Sequence, residues 1–183
     1  MKSILILLLS IITFMSCDEA PVDVSDENYI FDGRGGIKCK VDGKLIKPKV
    51  SFNGTGLAAD IYFNPINNAN IMIISFLNGG ESPDFINQAV RINIINIVAE
   101  SVQVGDVYLL ESEMNSNFGK YGINPATNYD YSTNEQNIGE LKIVFHDFEN
   151  RILGGTFEFD AVDENGNIVE IREGEFDMKY LVY

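Results

Sequence analysis

From residue 37 onward the chain alternates. Apolar side chains recur at every second position in short runs, with Gly, Asn, Asp or Pro in the gaps, and no run holds a helical period. That pattern predicts half-buried β-strands joined by tight turns. Cys39-Lys40-Val41, Asp42-Gly43 and Lys44-Leu45-Ile46 read as a two-residue hairpin. Asp-Gly supplies the two positive-φ positions of a type I′ turn, and the register sets Cys39 opposite Ile46. Further strands are expected at residues 50–53, 59–63, 71–77, 90–98 and 107–114, and a single helical turn fits residues 84–89. Within 90–98, Val90, Ile92 and Ile94 alternate with Arg91 and Asn93, and then Ile95 and Ile97 flank Asn96. The slipped phase predicts a bulge or sheet-to-sheet bend at Ile94-Ile95. In 107–114, Tyr108, Leu110, Ser112 and Met114 share one face, and Glu111 and Glu113 face water.

The C-terminal third alternates most cleanly. Leu141, Ile143 and Phe145 oppose Lys142, Val144 and His146; Phe157, Phe159 and Ala161 oppose Thr156, Glu158 and Asp160. Val169 and Ile171 follow, Gly174 shifts the phase, and Phe176, Met178 and Tyr180 resume the core face. Turns at Glu149-Asn150 and Asn165-Gly166 make this an antiparallel meander with one wet face. The expected fold is all-β, an antiparallel two-layer β-sandwich of about 9–10 strands. A lipocalin-like closed barrel is the alternative, because closure removes exposed strand edges.

The N-terminus follows a different pattern. Lys2 precedes an apolar run over residues 4–14, broken only by Ser10 and Thr13. Those 11 residues match a signal-peptide core and fall short of the roughly 20 that span a bilayer as a helix. The run ends at Ser16-Cys17, followed by Asp18-Glu19. Phe14-Met15-Ser16-Cys17 resembles the lipobox of bacterial lipoproteins. The resemblance implies cleavage before Cys17, a diacylglycerol thioether on its sulfur and acylation, as by palmitate, of the new amino group. Each buried CH₂ adds about 0.8 kcal/mol, so two or three chains anchor firmly. The expected organisation is a signal peptide over 1–16, a lipidated cysteine with an acidic tether over 17–36, and one β domain over 37–183. If flexible, the tether would hold the domain roughly 20–25 Å from the lipid.

The C-terminal third also resembles a set of small uncharacterised Bacteroidota lipoproteins. The pieces that carry this are residues 141–148, the Ile152 to Phe159 stretch with Gly155-Thr156-Phe157, and Gly174-Glu175-Phe176-Asp177-Met178-Lys179-Tyr180. Asp18-Glu19 partly resembles the surface-export signal of such proteins. The resemblance implies a β fold and a lipid-anchored location in the cell envelope, at the outer membrane or the cell surface, while Asp18-Glu19 alone leaves retention at the inner membrane open as well. It implies no activity.

Charge narrows the partners. The 183-residue chain carries 13 Lys and Arg against 27 Asp and Glu. Removing residues 1–16 takes away Lys2 alone, so the mature charge is 12 − 27 = −15. Such a surface repels phosphate backbones, which argues against nucleic acid. Cys39 is left without a partner once Cys17 is assigned to lipid, and its strand position predicts burial. His146 is the only histidine, so a His/Cys metal set is not expected. It is read as a surface residue, and adjacent strand positions keep it from meeting Asp147. Asp163-Glu164-Asn165-Gly166-Asn167 has oxygen ligands at alternate positions, as calcium loops do, but its glycine is misplaced for that motif and a hairpin turn explains it. Glu111 and Glu113 read as a solvated face rather than a catalytic pair. No cofactor is expected.

Residues 115–137 set Phe118, Tyr121, Tyr129 and Tyr131 among Asn, Ser and Thr. Rings that stack on sugar faces and amides that bond hydroxyls are the chemistry of glycan recognition. Tyr121, Tyr129 and Tyr131 are the candidate ligand contacts, and anchoring of a surface loop is the competing reading. The functional expectation is a non-enzymatic, lipid-anchored envelope protein that binds a glycan or an envelope protein. A carrier of a small apolar ligand in a β-barrel pocket is the alternative, and a carboxylate-dependent glycan hydrolase comes last.

Overall fold

The computed structural model describes residues 22–48, 59–66, 69–79, 87–112, 116–123 and 129–183. The expected signal peptide, Cys17, the strand at 50–53, residues 84–86 of the helical turn expected at 84–89, and Glu113 and Met114 lie outside the described residues, while Gln88 and Ala89 of that expected turn are strand instead. The described chain is all-β. Its strands are β1 (Gly36–Val41), β2 (Lys44–Ile46), β3 (Ala59–Ile66), β4 (Ala69–Asn78), β5 (Gln88–Ile95), β6 (Val107–Leu110), β7 (Phe118–Ile123), β8 (Tyr131–Ser132), β9 (Gly139–Asp147), β10 (Ile152–Val162), β11 (Ile168–Lys179) and β12 (Leu181–Val182), with one 3-10 turn at Ala99–Ser101.

These strands form one curled sheet in the order β12-β3-β4-β5-β7-β8-β10-β11-β1-β2, with β9 and β6 branching from β10. Its halves act as two layers, β6-β9-β10-β11-β1-β2 and β12-β3-β4-β5-β7-β8. They are joined where Val162 of β10 pairs with Ser132 of β8. At the other corner β12, the continuation of β11 past Tyr180, pairs in parallel with β3. The expected two sheets are therefore one, bent at two corners. Ile61, Ile74, Ile92, Leu141, Ile143, Phe157, Phe159 and Phe176 make a single core cluster between the layers. The rings of Phe63 and Tyr180 meet there at 5.2 Å.

Turn chemistry holds where it is local. Asp42 and Gly43 have φ of 47° and 77°, Cys39 pairs with Ile46, and the Cys39 side chain is fully buried. Burial pushes its thiol well above the ordinary range. Two phase readings need correction. The bulge expected at Ile94-Ile95 is absent, since β5 keeps register with β4 through Ile71 and Ile95. The slip falls one residue later, where Asn96 takes φ 57° and the chain leaves the sheet. The second slip lies in β9. Register shifts so that Gly154 pairs with Phe145 and Gly155 with Ile143. Val144 is the extra residue, and every side chain after it changes face.

That bulge turns Phe145 outward and His146 inward. His146 is not the surface residue expected. Its Nδ1 donates to the Val102 carbonyl at 3.0 Å, and its Nε2 lies 3.0 Å from the Tyr180 hydroxyl. Asp147 caps its own turn instead, accepting from the Asn150 N–H at 2.9 Å and side-chain amide at 2.8 Å.

Residues 22–36 also differ from the solvated tether expected of them. Val22 is buried, and the Val24 N–H donates to Glu175 at 3.1 Å. The Phe31 ring stacks on Phe145 at 4.6 Å, and Tyr29 meets Phe31 edge-on. Gly154 makes room for this strap, since a Cβ there would lie 2.4 Å from the Phe31 ring. Asp177, completely buried, accepts from the Tyr29 hydroxyl (3.1 Å), the Asp32 N–H (3.2 Å) and the Gly33 N–H (2.9 Å). Both of its oxygens are thereby satisfied, which offsets the cost of burying the carboxylate.

Candidate functional site

Strand β5 sets its apolar side chains inward and its polar ones outward. Val90 and Ile92 are buried in the core, so Arg91 and Asn93 lie on the outer face of the β3-β4-β5-β7 layer. Arg91 pairs with Ser75 on one side and with Lys120 on the other. The Arg91 Nη2 donates to the Tyr62 hydroxyl at 3.2 Å. Its guanidinium carbon lies 5.8 Å from the centre of the Tyr129 ring. The Ser75 hydroxyl donates to Asp60 beside this group.

An open cleft of about 640 Å³ lies over this face. Arg91, Lys120 and Tyr129 line it, and Asp130 and the turn residues Asp163, Glu164 and Asn165 form the rest of its wall. The cleft thus brings together two stretches singled out separately in the sequence, the aromatic-amide segment and the 163–167 turn. In that turn the Asp163 carboxylate accepts from the N–H groups of Asn165 and Asn167 at 2.9 and 2.8 Å and from the Asn167 side chain at 2.8 Å. These bonds, led by that of the Asn167 side chain, hold its pKa below the usual carboxylate range. Its oxygens are occupied in building the turn, while Glu164 and Asn165 stay exposed at the rim.

Two buried polar atoms on the same face have no hydrogen-bond partner among the described residues: the Arg91 Nε and the Asn93 Nδ2. Asn93 is 6 % exposed. Buried polar groups are normally paired, so two orphans two residues apart on one strand face mark a site that is not tuned for stability alone.

The three candidate tyrosines part company. Tyr121 is 2 % exposed and points into the core, where its hydroxyl accepts from the Gln88 amide at 2.7 Å. Tyr131 is half-buried and packs beside it, ring centres 5.7 Å apart. Only Tyr129 reaches the cleft. Burial holds its hydroxyl above the usual tyrosine range, partly offset by the nearby Arg91. Arg91 was missed as a site residue, although its place between Val90 and Ile92 already turned it outward. Glu111 stands exposed and apart from the cleft, and Cys17 lies outside the described residues.

No group of three or more His, Cys, Asp or Glu able to hold a metal occurs among the described residues. No helix among them is long and apolar enough to cross a membrane. No curated protein and no solved structure matches the chain. Residues 85–178 match a family model described as a domain of unknown function (DUF6252). That segment holds Arg91, Tyr129, Gly154 and Asp177, covers half of the chain, and places the protein in the DUF6252 family.

Proposed function

We propose that this protein is a non-enzymatic, lipid-anchored binding module of the cell envelope, attached through acylated Cys17, which takes a hydroxyl-rich ligand of the glycan class at the Tyr129 cleft. The observation that carries this reading is the cleft itself. It sets one aromatic ring beside a guanidinium, with exposed amide and carboxylate groups of Asn165, Asp130 and Glu164 around them. A ring supplies a platform for the apolar face of a sugar, and the polar rim matches its hydroxyls. The space between the layers is taken up by Phe157, Phe159, Phe176 and their neighbours, which favours a surface site over an interior one. The anchor is supported by the apolar run over residues 4–14 and the Ser16-Cys17 boundary. An outer-membrane destination, extending to the cell surface, is supported by resemblance to Bacteroidota lipoproteins.

A glycan array tests the reading. The wild-type protein retains at least one glycan, and Tyr129→Ala and Asn165→Ala lose it, while Tyr131→Phe does not. Unchanged binding in Tyr129→Ala, or no binding by the wild type, removes the cleft as a sugar site.

A further inference from the structure

The strap lies on the outer face of the β6-β9-β10-β11-β1-β2 layer, and the cleft opens over the outer face of β5 and β7 in the other layer, with the β10–β11 turn at Asp163, Glu164 and Asn165 closing its wall. Gly36, Asp177, Gly154 and Phe145 pair across β1, β11, β10 and β9 and form one row. They point away from the core row of Ile37, Phe176, Gly155 and Ile143, and the strap covers Asp177, Gly154 and Phe145. Val24 meets Glu175 on β11, near the middle of the β6-β9-β10-β11-β1-β2 layer. Arg91 and Lys120, which line the cleft, belong to the outer face of the other layer.

The chain is therefore fixed to the fold from Val22 onward. Between Cys17 and Val22 lie five Cα steps, which reach at most about 18 Å. A two-layer body is roughly 20–25 Å thick once its outward side chains are counted, and roughly 40 Å across at this chain length. A leash rising from the middle of one face would have to cross to the rim and then descend the side to bring the other face to a surface. That path is about twice its length.

We propose that the strap orients the domain on the membrane, with the Tyr129 cleft turned away from the bilayer. Its ligand is then a glycan chain in the aqueous space and not a headgroup of the anchoring lipid. The inference rests on the Cys17 anchor and the cleft reading above. It replaces a loose tether by a short leash and a docked strap.

The test uses the full acylated protein in vesicles that carry an energy-transfer acceptor on their headgroups. One donor is attached at Glu158→Cys, on the exposed strap-side face, and in a second variant at Asn165→Cys, on the cleft rim. Cys39 is buried and stays unlabelled in the folded protein. Stronger transfer is expected from the Glu158→Cys site. Gly154→Leu, which displaces Phe31, lengthens the leash and narrows the difference. Equal transfer from both sites, or stronger transfer from Asn165→Cys, in protein that floats with the vesicles overturns the orientation alone. Failure to float overturns the anchor, and the orientation with it.

Discussion

The two outer faces of the sheet are finished in opposite ways. On the β9-β10-β11-β1 side the chain covers its own surface, and the deeply buried carboxylate of Asp177 meets three donors supplied by the strap. On the β3-β4-β5-β7 side, Arg91 and Asn93 each have a buried nitrogen with no hydrogen-bond partner among the described residues. A protein that matches a buried charge so fully on one side is capable of matching an amide on the other. The contrast marks the first face as built for stability and supports the contact role proposed for the second.

The comparison can be broken most forcefully at Gly154. A leucine there collides with the Phe31 ring, and overpacking together with loss of the strap is expected to cost about 3 kcal/mol. Residues 22–35 should become exchange-labile in hydrogen–deuterium exchange while β10 and β11 stay protected. Protection that persists in the strap would mean that the glycine is not what admits it.

The opposite face should respond with the opposite sign. Asn93→Leu removes an unpartnered buried amide and is expected to be neutral or to stabilise by up to about 1 kcal/mol in urea unfolding. A loss greater than that would show Asn93 to be structural and end the contrast between the faces.

The smallest effect is electrostatic. Hydrogen bonds hold Asp163 below the 3.8 of an unperturbed aspartate, so the folded state favours its charged form. That contribution is complete above the unfolded value and is lost as pH falls through it toward the lower folded value. Asp163→Asn should flatten the acid limb of a melting-temperature profile below pH ~4 and leave the neutral region shifted only by a constant. An acid limb unchanged in slope would remove Asp163 from the account.

How much of this was legible depended on range. The hairpin at Asp42-Gly43 was readable because its cause is two adjacent residues whose φ the turn type demands. The inward set Phe157, Phe159, Ala161, Ile171 and Phe176 was readable because strand alternation is local. The flip at Val144 was not. Lys142, Val144 and His146 alternate without a break, and only pairing with Gly154 and Gly155 reveals the extra residue. The strap was hidden for a related reason: Val24, Tyr29 and Phe31 follow no period, and their partners Glu175, Asp177 and Phe145 lie more than a hundred positions away. At the site, the sequence suggested an aromatic row of Tyr121, Tyr129 and Tyr131. Alternation in β7 sends Tyr121 inward opposite Val90, so the row reduces to Tyr129, and β5 supplies its neighbour Arg91.

The corner at Tyr180 has a kinetic consequence. Strand β1 finds its partner in β11, with Ile37 opposite Phe176, and β3 finds one of its own in β12. Among the described residues, early strands thus pair with late ones, and the sheet cannot be completed until β11 and β12 are available. Such non-local pairing makes for slow folding, on the order of milliseconds to seconds for comparable β domains. If the chain is exported as proposed above, that delay is useful. β11 and β12 follow every other described strand in the chain, so under the export proposed above the polypeptide would stay threadable until both had emerged.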